Sequence, residues 1–165
     1  MEIERKWLVE RERIPYDLAE YASYFIEQAY VSFSPTIRIR KINGGEQYIL
    51  TVKTHPENLP HPGLQREEVE VPLSAAEYAA LLQKTAGNVV SKTRYVVPLE
   101  NGWKQEIDIF HGALDGLVCM EIEFPDTESA EKYPDPAWVT ADVTYDFRYK
   151  NSSLAEYGMP GEMNT

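Results

Sequence analysis

At 165 residues the chain is the size of one ordinary domain, long enough to bury a core without disulfides or structural metals. A hydrophobic share of 43% with 12% aromatics, including eleven Tyr and three Trp, excludes a disordered chain. Sixteen Lys plus Arg against 27 Asp plus Glu give a net charge of −11, which disfavours nonspecific binding to nucleic acid or to an anionic membrane, so a polyanionic ligand needs a local basic site or a metal.

The first residues alternate in charge and contain no apolar run, so no secretory signal is expected, and no stretch approaches ~18 uninterrupted apolar residues. The single Cys119 has no internal disulfide partner, which predicts a soluble protein of a reducing cytoplasm. In chain order, period-two alternation between turn residues predicts strands over Glu2 to Val9, Ile26 to Phe33, Thr36 to Ile42, Gln47 to Lys53, Leu64 to Val71, Val89 to Pro98, Trp103 to Phe110 and Leu117 to Phe124, with a weaker one over Val139 to Thr144. Asn101-Gly102 predicts a type I′ hairpin turn, and Asn43-Gly44-Gly45 and Asp115-Gly116 two more tight turns.

Helices are few. Ser74 to Glu77 fits a capping box, followed by an apolar stripe at Tyr78, Leu81 and Leu82, with Gly87 as the residue that ends the helix. Pro15 to Tyr24, Thr127 to Lys132 and Ser152 to Tyr157 are further helix candidates, the last ending at Gly158, while HPENLPHPG over residues 55–63 reads as a loop. One mostly antiparallel domain over residues 1–165 is expected, mainly β within the α+β class.

The strands carry charge in same-sign pairs on one parity: Glu2 and Glu4, Arg38 and Arg40, Glu68 and Glu70, Lys92 and Arg94, Glu106 and Asp108, Glu121 and Glu123. The opposite parity is largely apolar, as in Ile37 and Ile39, Ile107 and Ile109, or Met120 and Ile122. For any one strand a solvated face explains this. Over six strands that reading weakens, because an exposed sheet face gains from opposite charges and loses from like ones. A closed barrel with the charged parity inward supplies a chemical cause: Lys and Arg contact phosphoryl oxygens, and carboxylates hold hard divalent cations.

These residues resemble the CYTH superfamily, the triphosphate tunnel metalloenzymes. The resemblance runs through E-x-E-x-K in MEIERKWLV, IRIR at 37–40, LTVK at 50–53, REEVEV at 66–71, SKTRY at 91–95, EIDIF at 106–110, LVCMEIEF at 117–124 and VTYDFRYKNSSLA at 143–155. It is greatest to the small bacterial members, several of which hydrolyse inorganic triphosphate. It implies a closed eight-stranded antiparallel β-barrel, or tunnel, with a few peripheral helices and a triphosphate along its axis. It implies Mg²⁺ or Mn²⁺ held by Glu2, Glu4, Glu121 and Glu123, with Glu68, Glu70 and Asp108 at a second site. Lys6, Arg38, Arg40, Lys53, Lys92 and Arg94 become phosphate contacts, and Tyr30 and Lys53 match the pair that prepares the attacking water.

On this reading the partner is a triphosphate-containing small molecule, with no nucleic acid and no membrane, and a homodimer is compatible with it. Class IV-type adenylyl cyclisation, thiamine triphosphate hydrolysis and noncatalytic polyphosphate binding remain open. Relatives commonly carry E-V-T where this chain has Asp142-Val143-Thr144, and the shorter Asp changes that carboxylate's reach. The resemblance implies that the C-terminal SSLAEYG is a short helix covering or plugging one tunnel end; the alternative is a surface helix that closes the barrel. No G-x-x-x-x-G-K-[ST] is present, the three His lack zinc-ligand spacing, and Cys119 reads as a small packing residue.

Overall fold

The computed structural model describes residues 1–55 and 64–161. Among the described residues nine strands form one antiparallel sheet: β1 (Glu2–Val9), β2 (Ala22–Ser32), β3 (Thr36–Ile42), β4 (Gln47–Thr54), β5 (Gln65–Pro72), β6 (Ala86–Pro98), β7 (Lys104–Phe110), β8 (Val118–Glu123) and β9 (Val139–Asp142). Their order is β5-β4-β3-β2-β6-β7-β8-β1-β9, and a further pairing of β5 with β1 closes eight of them into a barrel. That closure is short, Glu2 opposite Arg66 and Ile3 opposite Gln65, and β9 continues along the same edge of β1 from Trp7 to Val9. Between the two pairings the Val143 amide donates to the Lys6 carbonyl at 2.9 Å and the Lys6 amide to Thr144 Oγ1 at 3.1 Å, which ties the seam.

Alternation puts charge inside and apolar groups outside, so the core lies around the barrel. Trp7, Ile107, Met120 and Ile122 are fully buried beneath α2 (Thr127–Lys132), Trp103, Tyr133 and the 10–21 segment. Around β2, β3 and β4, α1 (Ala75–Leu82) lays Tyr78 and Leu81 on Ala29 and Ile39. The expected capping box is present: Ser74 Oγ accepts from the Glu77 amide and Glu77 Oε1 from the Ser74 amide.

The third helix, α3 (Asn151–Tyr157), fills one end of the barrel. Here the inward parity changes character. Tyr30, Val90, Phe110 and Cys119 continue the inner rows of β2, β6, β7 and β8, and they pack with Leu154 and Ala155 of α3 into an apolar plug. Gly87 permits this close approach: its φ is +72°, and a Cβ there would lie 2.7 Å from the Ala155 carbonyl oxygen and 2.9 Å from Phe33 Cζ.

Several expectations are corrected. Pro15 to Tyr24 is not a helix: short 3₁₀ turns occupy Arg11–Arg13 and Leu18–Glu20, and β2 already begins at Ala22. Tertiary packing decides the outcome, since Tyr16 and Tyr21 are drawn onto Trp138, Gln105 and the outer core. Gly87 lies inside β6 rather than ending α1, whose final cap is Gln83. The Asn101-Gly102 hairpin is not type I′, because only Gly102 has positive φ; Gly102 donates to the Leu99 carbonyl, Leu99 to the Trp103 carbonyl, and Asn101 Oδ1 accepts from the Trp103 amide. Asn43, Gly44 and Gly45 all have positive φ, as a tight turn requires. The expected loop over residues 55–63 lies outside the described residues except for His55.

Candidate active site

The lumen is lined by the inward parity of eight strands, and its ends differ. At the α3 end the apolar plug closes it. At the other end Glu70 and Glu123 are exposed and Glu68 and Glu106 half-buried, so the mouth is acidic. In between, Glu2, Lys6, Arg38, Lys53, Lys92, Asp108 and Glu121 are each less than a tenth exposed, a concentration of buried charge that only pairing makes tolerable.

The same-sign pairs along each strand meet opposite-sign groups across strands. Lys53 Nζ lies 3.1 Å from both oxygens of Glu2 and 3.7 Å from Glu68. Lys6 lies 3.1 Å from Glu121, while Lys92 reaches Asp108 at 2.8 Å. Arg94 takes Asp108 with two prongs, Glu106 with a third nitrogen at 2.8 Å, and approaches Glu121 at 3.5 Å. Arg40 is held instead by the amide oxygen of the fully buried Gln28, at 2.8 Å. Arg38 has no carboxylate partner among the described residues: its Nη2 donates to Thr51 at 3.2 Å, and its buried Nε has no hydrogen-bond partner.

Protonation follows from these neighbours. Burial opposes ionisation of Glu121, but Lys6, Arg94 and Lys92 hold it well below the usual carboxylate range. Asp108 is likewise lowered, by Arg94 and Lys92 against burial. Toward the mouth the balance reverses. Burial, then Glu121 and Glu2, raise Glu4, while burial, Glu2, Glu4, Glu68 and Glu106 push Glu123 up to about 7. Burial and the neighbouring Arg94 and Arg40 push the Lys92 ammonium down to about 7, although Asp108 opposes them. Lys53 is lowered by burial and by Arg66 and Arg38.

The seven carboxylates expected to hold metal therefore do not stand as a ready ligand cluster. Glu2, Glu4, Glu68, Asp108 and Glu121 are engaged by cations, Glu70 and Glu123 sit at the exposed mouth, and no group of three acids among the described residues is spaced to hold an ion. The donor set nevertheless fits a hard divalent cation. Beyond burial, Glu68 helps raise Glu2, Glu121 and Glu2 raise Glu4, and Glu2, Glu4 and Glu68 raise Glu123, a repulsion that oxygen-ligated Mg²⁺ or Mn²⁺ relieves.

Tyr30 is buried beside the chamber, with its hydroxyl receiving Gln28 Nε2 at 3.3 Å and its ring stacked on Phe33. No hydrogen bond joins it to Lys53 among the described residues. The half-buried Arg66 was missed by the sequence reading although it shares the parity of Glu68 and Glu70; it lies 3.2 Å from Glu2 and 3.5 Å from Glu4. Asn151, also missed, reaches in from α3 to accept from Lys92 at 3.2 Å. Asp142 faces away from the lumen: Oδ2 pairs with Arg5 at 2.6 Å, and Oδ1 receives the Thr144 amide and hydroxyl. Among the His, His111 contacts Thr93 and Phe25, His55 is exposed, and His61 lies outside the described residues.

A closed eight-stranded barrel with a lumen of paired acids and bases defines a tunnel protein, and the chain belongs to the CYTH domain family, whose model matches residues 1–136. It is 35% identical over 156 residues to a protein of Nitrosomonas europaea named inorganic triphosphatase, covering 93% of this chain and 96% of that one. An inorganic triphosphatase of Acetivibrio thermocellus is 34% identical over 158 residues, 94% and 93% of the two chains. The crystal structure of an inorganic triphosphatase superposes with TM-score 0.64 at 32% identity, covering 94% of each chain. A Hippeastrum protein described as having dominant triphosphatase activity superposes with TM-score 0.60 over 79% of this chain and 83% of that one, and at 16% identity shares the fold alone. No helix among the described residues is long and apolar enough to cross a membrane.

Proposed function

We propose that the chain is a divalent-metal-dependent phosphohydrolase that takes inorganic triphosphate into the lumen and releases pyrophosphate and orthophosphate. The observation that carries this reading is Arg38, a guanidinium only 3% exposed with no carboxylate partner among the described residues and an unpartnered Nε. A buried cation in that state is costly unless an anion joins it, and a phosphoryl group supplies both charge and acceptors.

On this reading Lys6, Lys53, Lys92 and Arg94 exchange carboxylate partners for phosphoryl oxygens, and Arg38 and Arg40 contact phosphoryl oxygens without giving up an ion pair. Glu2, Glu4, Glu121 and Glu123, with Glu68, Glu70 and Asp108 beside them, are the residues for Mg²⁺ or Mn²⁺, whose chemistry when bound is Lewis-acid neutralisation of phosphoryl charge. Tyr30 and Lys53 orient a water whose oxygen bonds to the terminal phosphorus as the bridging P–O bond breaks. The depressed Lys53 ammonium suits holding that water, and the step needs orientation more than strong base.

A steady-state assay of orthophosphate release from inorganic triphosphate, ATP and thiamine triphosphate with Mg²⁺ or Mn²⁺ tests this. Metal-dependent release, greatest from inorganic triphosphate, is expected. Release from none of the three contradicts the enzyme reading, and cyclic AMP formed from ATP replaces it with cyclisation.

A further inference from the structure

Gln28 carries no charge and has no place in the proposed reaction, yet it is 0% exposed and stands where the lumen changes character. On β2 it lies opposite Arg40 of β3 and opposite Val90 of β6, at the border between the charged rows and the apolar plug. Both ends of its amide are used. Oε1 accepts from Arg40 Nε at 2.8 Å, and Nε2 donates to the Tyr30 hydroxyl oxygen at 3.3 Å.

The first bond fixes the sense of the second. Arg40 Nε has a proton to give and accepts nothing, so the amide oxygen must face it, and the NH₂ is left for Tyr30. That NH₂ is a donor alone, so the Tyr30 oxygen accepts and its own proton is directed elsewhere. Tyr30 lines the chamber with Lys6, Arg38 and Lys53, and its hydroxyl makes no other hydrogen bond among the described residues. Stacking on Phe33 holds the 1% exposed ring in place. The hydroxyl therefore stands as a donor toward an acceptor that enters the chamber.

The amide also suits Arg40, which has no carboxylate partner among the described residues. Burial, then Arg38 and Arg94, push its guanidinium down to about 9, so its charge is under strain from its neighbours. A carboxylate at position 28 would neutralise Arg40 and take the Tyr30 proton for itself. An apolar side chain would leave the Arg40 Nε proton and the Tyr30 oxygen unpartnered in a buried place. A neutral group that accepts at one end and donates at the other keeps Arg40 charged and Tyr30 donating.

We propose that Gln28 is a positioning residue of the triphosphate site: its amide aims Arg40 without neutralising it and turns the Tyr30 hydroxyl proton into the chamber. This rests on the triphosphate reading above and adds a residue that acts through two others without touching the substrate.

The test is a double-mutant cycle in steady-state turnover of inorganic triphosphate with Mg²⁺, over wild type, Gln28→Glu, Tyr30→Phe and the double variant. Gln28→Glu keeps the side chain's shape and reverses the bond to Tyr30, and it is expected to lose about tenfold in kcat, the worth of one directed hydrogen bond. In the Tyr30→Phe background the same substitution is expected to change kcat by less than about twofold, while KM still rises because Arg40 is neutralised. An equal kcat loss in both backgrounds, or none in either, overturns the proposal. Should Gln28→Glu fold poorly, Gln28→Met, which removes both bonds at similar volume, replaces it in the cycle with the same outcomes deciding. If wild type releases no orthophosphate, the triphosphate reading fails separately, and the Arg40 Nε proton, identified in NMR spectra by its loss in Arg40→Lys, becomes the measure. Faster exchange of that proton with solvent in Gln28→Met than in wild type upholds the positioning, and equal exchange overturns it.

Discussion

Arg94 grips Asp108 with two prongs inside the lumen, Nε to Oδ1 at 2.7 Å and Nη2 to Oδ2 at 2.8 Å, while Lys92 takes the same carboxylate at 2.8 Å. Asp108 is 1% exposed and Lys92 fully buried, so this carboxylate neutralises two cations that have little water. Replacing it with Asn leaves them uncompensated and is expected to destabilise the ligand-free protein by about 3–5 kcal/mol. Urea unfolding checks this. Saturating inorganic triphosphate is expected to recover part of the loss, since phosphoryl oxygens can replace the missing charge.

The Asp142 carboxylate serves the seam rather than the reaction. Its bonds to Thr144 and Arg5 hold its pKa below the ordinary 3.8 despite partial burial, so its stabilising contribution is present above that value and is lost as the pH falls through the lowered one. Asp142→Asn is expected to cost on the order of 0.5–1 kcal/mol at pH 7, a small figure because the pair is solvent-screened. The difference from wild type should shrink as the pH falls below 3.8 and vanish once it lies below the lowered value, as equilibrium unfolding at several pH values would show. An Asp142→Asn turnover number within twofold of wild type is the companion expectation.

Gly87 sets how closely α3 approaches β6. Gly87→Ala brings a Cβ within 2.7 Å of the Ala155 carbonyl oxygen at a backbone φ of +72°, so strain and clash act together. The expected cost is about 1–3 kcal/mol. Amide hydrogen exchange should rise first in residues 151–157, and turnover should fall because Asn151 no longer anchors Lys92.

Cys119 lies in the plug, 1% exposed, and burial chiefly pushes its thiol up to about 12. The native protein is expected to leave a disulfide reagent unreacted at pH 8, whereas the unfolded chain should yield its one thiol. Rapid reaction of the native form would show that the plug opens.

The barrel was legible because two patterns agree over most strands: alternation of period two, and charge confined to one parity. That agreement located the inward face of β1, β3, β5, β6, β7 and β8 before any pairing was known. Pairing itself was not legible. The sequence suggested acids and bases collected separately, but register sets Lys6 opposite Glu121 and Arg94 opposite Asp108, so each sign answers the other across strands. Arg66 could have been found from its parity with Glu68. Gln28 could not, since on its own parity it stands between Ile26 and Tyr30, and Asn151, although inside VTYDFRYKNSSLA, enters from a segment outside the barrel where strand parity says nothing of direction. Tyr16 shows the reverse limit, where edge-on packing against Tyr21 and Trp138 overrides a local helix signal.

The central claim is that the lumen exchanges its internal ion pairs for a linear triphosphate. Calorimetric titration of inorganic triphosphate into the wild-type protein with Mg²⁺ measures this directly. One site per chain is expected, with affinity that weakens as salt rises and falls by at least about tenfold in Arg38→Met, the variant lacking the unpaired guanidinium. Absence of saturable binding, or equal binding by Arg38→Met, would contradict it.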